Sequence, residues 1–422
     1  MLRTKIEGII TKITARISIV VFFIMAFEIM IMISPFAFFF YSVFNPIFHF
    51  LDSFTATRWL TTFFLPHMIL PPTLFLKAVR VFGSVCFVVG SITFSVCALQ
   101  VYLGKIFKWG VASKGLYSYI RHPQYTSLGI WGIGMSILWP RFIVLASLSV
   151  MFILYYFLAK DEQRRMLSQF GTSYQDYMDR TGMFMPRSIE KYFSFFPETA
   201  VRYLAIPVSI IIVVLGMGFL LREVTLSSLP FESKENLTVV PILPEDRVLS
   251  AEVLKGIINE NVGVSTGMET GKDYLGYVMP VDYIMQGMIA DTGSEFHLYK
   301  KHHTIAMINE WILHPFQHLR ASPSLHMAKM FNVDPAVARR HHCPIIAKDA
   351  SMNCNGCAYR RVAVVEIKHG EGGRLTGDKL LAVNTTRVPV SFVDINTRTG
   401  EIVNVVKVKK ATAWENVPTP SI

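Results

Sequence analysis

The sequence predicts an α-helical multi-pass membrane domain of about five spans, one pair of them a helical hairpin, followed by a small α+β globular domain. Three observations predict it. Of the 422 residues 52% are hydrophobic and only 17% charged, a composition too apolar for an ordinary soluble protein. The apolar residues form long runs up to about Leu221 and thin out beyond it. Near the C-terminus, Val388 to Asn396 and Glu401 to Lys409 alternate β-branched residues around Thr397-Arg398-Thr399-Gly400, the pattern of a β-hairpin.

The charge divides at the same place. Residues 1–221 carry 19 Lys+Arg against 9 Asp+Glu, and residues 222–422 carry 22 against 21. The basic excess therefore lies between apolar runs, where membrane proteins meet anionic headgroups. Membrane lipids are the expected partners, and a nucleic-acid partner is not expected. The division gives three segments: a membrane domain over 1–221, a linker with Pro230, Pro241 and Pro244 over 222–250, and a globular domain over 251–422.

A helix needs about 20 apolar residues to cross the hydrocarbon core. Ile17 to Phe44, Val81 to Leu103, Ser127 to Leu158 and Leu204 to Leu221 approach or exceed that length. Ser127 to Leu158 is too long for one span, and Trp139-Pro140-Arg141 interrupts it with a helix breaker and a charge. It reads as a hairpin, which brings the spans to five. Trp59 to Leu76 is apolar but holds His67, Pro66, Pro71 and Pro72, and reads as a re-entrant or interfacial segment. Glu28 near the middle of the first run is either a functional carboxylate or a protonated or Arg-paired structural one.

The flanking charges orient the spans. Arg3, Lys5, Lys12 and Arg16 precede the first run. Lys105, Lys108, Lys114 and Arg121 precede the hairpin, and Lys160, Arg164, Arg165, Arg180, Arg187 and Lys191 follow it. The positive-inside rule places all three groups in the cytoplasm, and one further crossing puts the C-terminal domain on the opposite side.

Two polar clusters, one at each end of the hairpin, carry the chemistry. The first runs from Lys114 to Tyr125 through Arg121-His122-Pro123. The second holds Asp161-Glu162-Gln163, then Phe170-Gly171-Thr172-Ser173-Tyr174-Gln175-Asp176-Tyr177, then Phe184-Met185-Pro186. Pro123 suits the first turn of a helix and biases His122 toward an extended conformation that presents its ring and backbone outward. A helix amino terminus beside Arg121 and His122 favours an anionic group. Glu162 is placed to meet the ammonium of a zwitterion or a ribose diol. His122 is the only histidine in the two clusters, with no second base evident beside it, which favours an acceptor that is already ionised over one that must lose a proton.

The succession Gly115-x-Tyr117-x-x-x-Arg121-His122-Pro123-x-Tyr125, a hairpin, an acidic pair, Phe170-Gly171-x-x-Tyr174-x-x-Tyr177 and Phe184-x-Pro186 resembles the S-adenosylmethionine-dependent methyltransferases of the isoprenylcysteine carboxyl methyltransferase and phospholipid methyltransferase type. The resemblance covers roughly residues 75 to 190. It implies a cofactor pocket for S-adenosylmethionine built from Tyr117, Arg121, His122, Pro123, Tyr125, Glu162, Tyr174 and Tyr177. His122, Arg121 and Glu162 are its implied catalytic residues, and a lipophilic methyl acceptor enters from the lipid side. Two positions depart from the family pattern. The second residue of the acidic pair is Gln163, with Asp161 as a compensating carboxylate, and Met183 stands where an Arg usually precedes the closing Phe-x-Pro. Arg180 and Arg187 are the available replacements for the acceptor contact attributed to that Arg.

A phospholipid amine is the alternative acceptor. A metal- or redox-binding membrane component that keeps the hairpin as an anchor is the alternative from another class. The C-terminal domain motivates it, with histidines at 297, 302, 303, 314, 318, 326, 341 and 342. His342, Cys343, Cys354 and Cys357 offer soft ligands for zinc or another transition metal. In an oxidising compartment a disulfide with one spare thiol competes with that account.

Overall fold

The fold is that of a computed structural model, which describes residues 50–107, 112–192, 200–259, 267–280, 359–368, 374–383 and 385–408, with positions 13, 16, 17 and 20 before them. The chain divides into two compact units, Met1–Met30 with Phe75–Arg222 and Ile31–Leu74 with Glu223–Ile422.

The first unit is helical. It is built on α1 (Leu74–Ile106), α2 (Pro123–Leu138), α3 (Phe142–Phe170), α4 (Thr172–Arg180) and α5 (Ala200–Ser228), the last running on into the second unit. Among the described residues three stretches are long and apolar enough to cross a membrane: Leu74–Gly104, Phe142–Phe170 and Val208–Ser228, with mean hydropathies of 2.0, 2.3 and 2.0. The chain is an integral membrane protein. The expectation of about five spans meets three such helices. α2 has 16 residues, about 24 Å of helix against a core of about 30 Å, because the chain ahead of Pro123 is committed to the polar cluster. The first run, with Glu28, lies outside the described residues.

The hairpin forms as the sequence predicts. Trp139 N–H donates to Met135 O at 2.8 Å and ends α2, and Val144 N–H donates to Arg141 O at 3.0 Å and starts α3. The Arg141 side chain between them is fully buried, with its guanidinium 5.4 Å from the Trp139 ring centre. α2 is rich in small residues because it is packed tightly on both sides. A Cβ at Gly90 of α1 would fall 2.5 Å from Trp131 N, and one at Gly129 would fall 2.7 Å from a ring carbon of Phe152 on α3. Small residues let helices approach closely where lipid offers no hydrophobic drive for association. α5 joins the bundle at the start of α3, with the Phe219 and Phe142 rings 4.4 Å apart.

α3 outlasts its apolar stretch, and its last turns from Lys160 to Phe170 carry the charged second cluster. Gly171 then stands at φ +55°, ψ −131°, a conformation open to glycine and to few other residues. It turns the chain into α4.

The second unit is a mixed six-stranded sheet in the order β1 (Glu232–Lys234), β2 (Leu237–Pro241), β3 (Asp273–Met279), β4 (Tyr359–Lys368), β5 (Thr386–Asn396), β6 (Ile402–Lys407). Only β2 and β3 pair in parallel, and α6 (Ser250–Asn259) makes the crossover a parallel pair requires. Val253, Leu254 and Ile257 of α6 pack with Leu237, Val239, Val278, Val362 and Val393 of the sheet. The predicted hairpin is β5–β6.

One expectation is corrected here. The segment 222–250 is not a linker: α5 continues to Ser228, and β1 and β2 follow it into the sheet. Its prolines mark the edges of elements, Pro241 as the last residue of β2 and Pro244 at the start of a 3-10 turn. Trp59 to Leu76, expected to be re-entrant or interfacial, lies within the described residues. Phe63, Phe64, Leu65, Met68 and Ile69 are buried within the second unit. Leu70 N–H donates to Ile242 O at 2.9 Å, and Thr225 Oγ1 donates to Phe64 O at 3.4 Å. Its prolines leave much of the segment irregular, with Leu74 and Phe75 exposed at its end.

Candidate functional site

The two polar clusters meet at one end of the hairpin because the chain on either side of it is stitched backbone to backbone. Ile120 and Gly182 form a parallel bridge. Gly182 N–H donates to Tyr119 O at 3.2 Å, Arg121 N–H to Gly182 O at 2.8 Å and His122 N–H to Met183 O at 3.1 Å. Thr126 Oγ1 adds a bond to Phe184 O at 2.9 Å. This clasp brings residues about 60 positions apart into hydrogen-bonding contact, beside the last turns of α3.

Next to the clasp lies a cavity of about 300 Å³ whose walls include Gln100, Lys114, Tyr117, Arg121, His122, Gln124, Glu162, Met166, Tyr174 and Tyr177. That volume is at the lower end of the range for small-molecule sites, roughly 300–1,000 Å³. Six of the eight residues expected to form a cofactor pocket line it. Pro123 and Tyr125 stand behind the wall. Pro123 opens α2 as expected, and Tyr125 reaches the site through its hydroxyl, 3.4 Å from Glu162 Oε2.

His122 corrects an expectation. It was expected to present its ring outward, yet it is 3% exposed. The ring is stacked on Tyr125 at 5.6 Å and lies 6.0 Å from Phe184. Its Nδ1 is 3.4 Å from Glu162 Oε2, and its Nε2 is 3.1 Å from Gln163 Nε2. The backbone of His122 stands at φ −123°, ψ 58°, short of the extended conformation expected ahead of Pro123, and its N–H is taken up by Met183 O. Glu162 is therefore a second ionisable group directly beside His122, where the sequence showed none.

Arg121 spends part of its guanidinium on the fold. Its Nη1 donates to Met178 O at 2.7 Å and also to Thr181 O, at the C-terminal end of α4. Its Nε is buried without a hydrogen-bond partner among the described residues. Desolvation pulls the guanidinium below its ordinary pKa, while Glu190 draws it back up.

The tyrosines form a protonated wall. Tyr177 Oη donates to Tyr117 O at 2.7 Å, and Tyr117 Oη donates to Gln124 Oε1. Burial pushes the Tyr177 phenol up to about 12 and raises Tyr117 and Tyr174 as well. All three remain hydrogen-bond donors near neutral pH.

The departures from the family pattern also find their places. Gln163 is buried against His122, whereas Asp161 is turned to Arg165 at 2.9 Å and does not compensate for it. Met183 is buried, and its N–H donates to Glu190 Oε2 at 2.6 Å. Arg187 donates to Met178 O at 3.2 Å and to Asp179 O, and Arg180 Nε donates to the carbonyl of Asp176 at 3.2 Å. Both arginines serve the ends of α4. Gln100, Gln124 and Met166 were missed in the sequence reading. Gln100 carried a signal, a lone amide near the end of an apolar span, and it now donates to Lys114 O at 3.0 Å.

His342, Cys343, Cys354 and Cys357 lie outside the described residues. Among the described residues no group of three or more His, Cys, Asp or Glu side chains is arranged to hold a metal.

Neither the curated proteins nor the solved structures include a match to this chain. Residues 86–168, from the middle of α1 to the last turn of α3, match the model of the isoprenylcysteine carboxyl methyltransferase (ICMT) family, the family that the hairpin motif resembles.

Proposed function

We propose that the cavity binds S-adenosylmethionine and that its methyl group passes to a lipophilic acceptor carrying an ionised carboxylate, of the isoprenylcysteine type. The observation that carries this reading is the convergence of Glu162, His122, Arg121 and three protonated tyrosines on one cavity. The donor set suits a zwitterionic cofactor. Glu162 supplies a carboxylate for an ammonium or a diol. Arg121 lines the cavity, and its buried Nε has no hydrogen-bond partner among the described residues, which suits an anionic group.

When bound, the cofactor supplies an electrophilic methyl on a sulfonium, open to in-line displacement. The protein contributes position and the exclusion of water. Glu162 holds the cationic end, and His122 and Tyr125 orient the Glu162 carboxylate from behind. The clasp between Ile120 and Gly182 keeps the post-hairpin segment against the cavity. A carboxylate acceptor attacks with a lone pair it already has and needs no general base.

The testing experiment is transfer of a tritiated methyl group from S-adenosylmethionine to total membrane lipid and protein by the purified chain in lipid. Label is expected in a base-labile ester on a lipophilic product. Base-stable label in phospholipid would replace the carboxylate with an amine, and no transfer to either would overturn the proposal. For the tail, elemental analysis of gently purified protein with and without Cys354→Ser separates a bound metal, lost in the variant, from a disulfide.

A further inference from the structure

The His122 ring is held at both nitrogens by consecutive residues of α3. Nδ1 faces Glu162 Oε2 at 3.4 Å and Nε2 faces Gln163 Nε2 at 3.1 Å. Consecutive helical residues ordinarily point about 100° apart. They meet one ring here because His122 is wedged against that helix by Tyr125 on one side and Phe184 on the other.

The chemistry of the two partners differs. An amide nitrogen has only hydrogens to offer, so the Gln163 contact requires a lone pair on His122 Nε2. A neutral imidazole carries one proton, which then sits on Nδ1 and faces an acceptor-only carboxylate. Gln163 is buried at 9% exposure, so water does not readily replace the ring as its partner. Glu162 Oε2 receives His122 Nδ1–H and the Tyr125 hydroxyl together. Its orientation toward the cavity thus depends on a tautomer that the next residue sets.

We propose that Gln163 is a positioning residue for methyl transfer. It caps His122 Nε2, holds the Nδ1–H tautomer and thereby aims Glu162, leaving His122 no free lone pair with which to take a proton from an acceptor. This role rests on the reading of the cavity as a methyl-transfer site, but the ring's protonation pattern is measurable without it. A glutamate at 163 would keep the shape and set a carboxylate against each ring nitrogen, so that Nε2 carries a proton as well as Nδ1.

The test is two-bond proton–nitrogen correlation of the full chain in lipid nanodiscs, labelled with nitrogen-15 histidine. The His122 signals are assigned by their loss in His122→Asn. Wild type is expected to show a pyrrole-type Nδ1 and a pyridine-type Nε2, and Gln163→Glu to shift Nε2 to pyrrole type. Gln163→Glu is expected to keep the secondary structure and thermal transition of wild type, so that the changed ring signature is not an effect of misfolding. A wild-type ring protonated on Nε2, or the same ring signature in both proteins, overturns the role of Gln163; the wild-type spectrum decides the first point even if the variant fails to fold. The expected ring signature in a wild-type protein that does not bind S-adenosylmethionine overturns the methyl-transfer reading instead.

Discussion

Glu162 and Arg121 show how two charged residues at one cavity divide their work. Glu162 is held by His122 and Tyr125 through one oxygen, and about two-fifths of its side chain remains exposed on the cavity side of the contact. Hydrogen bonds to charged groups contribute about 1.5–3 kcal/mol. Glu162→Ala is therefore expected to weaken S-adenosylmethionine binding about 10- to 100-fold in a calorimetric titration, with His122→Ala following it through loss of orientation. Undiminished binding in both variants would sink the site assignment. Arg121 instead ties the pre-hairpin chain to the carbonyls of Met178 and Thr181. Arg121→Ala is expected to lower the thermal transition as well as binding. Glu162→Ala should spare the transition, so comparing the two melting curves separates the roles.

At the scale of elements, the site depends on close backbone approaches that leave no room for a side chain. A Cβ at Gly182 would run into the carbonyl of Met185 and sit 2.7 Å from Glu190 Oε2. Overpacking of this kind costs roughly 1–3 kcal/mol. Gly182→Ala is expected to open the clasp, lowering both stability and cofactor affinity, whereas Gly104→Ala, where a Cβ meets nothing within 4 Å, should leave the melting curve alone. Equal melting temperatures for the two would show that the clasp tolerates what its geometry forbids. The hairpin itself was legible in the sequence, since a proline and an arginine between two apolar runs allow few other arrangements. The clasp was not, because hydrogen bonds between the backbones of residues 119–122 and 182–183 leave no mark on side-chain identity.

For the whole molecule, the flanking charges predict that the post-hairpin segment and the C-terminal domain face opposite sides of the membrane. The chain preceding α1 and the chain following α5 belong to one unit. Single cysteines at Gln175 and Glu232, both exposed, are expected to react with an impermeant thiol reagent from opposite faces. Labelling from one face would mean that α5 does not cross. Within the sheet unit, Arg360 and the fully buried Asp246 pair through two bonds of 2.9 and 3.0 Å. Removing one partner of a buried pair typically costs about 3–5 kcal/mol, so Asp246→Ala is expected to unfold the sheet unit at lower denaturant while the helical unit keeps its far-UV signal.

The sequence by itself determined the membrane class, the hairpin, the C-terminal β5–β6 pair and the family resemblance over the motif. These rest on local properties: apolar run length, breakers, alternation and spacing. The tertiary structure alone decided that 222–250 joins the sheet, that 59–70 packs in the same unit, and that His122 turns inward between Glu162 and Gln163. Each of these is a contact between distant stretches of chain, set by what fills the space beside a side chain. Gln163 illustrates the difference. In the sequence it is a missing carboxylate, and only its position against His122 Nε2 shows the work an amide does there that a carboxylate cannot.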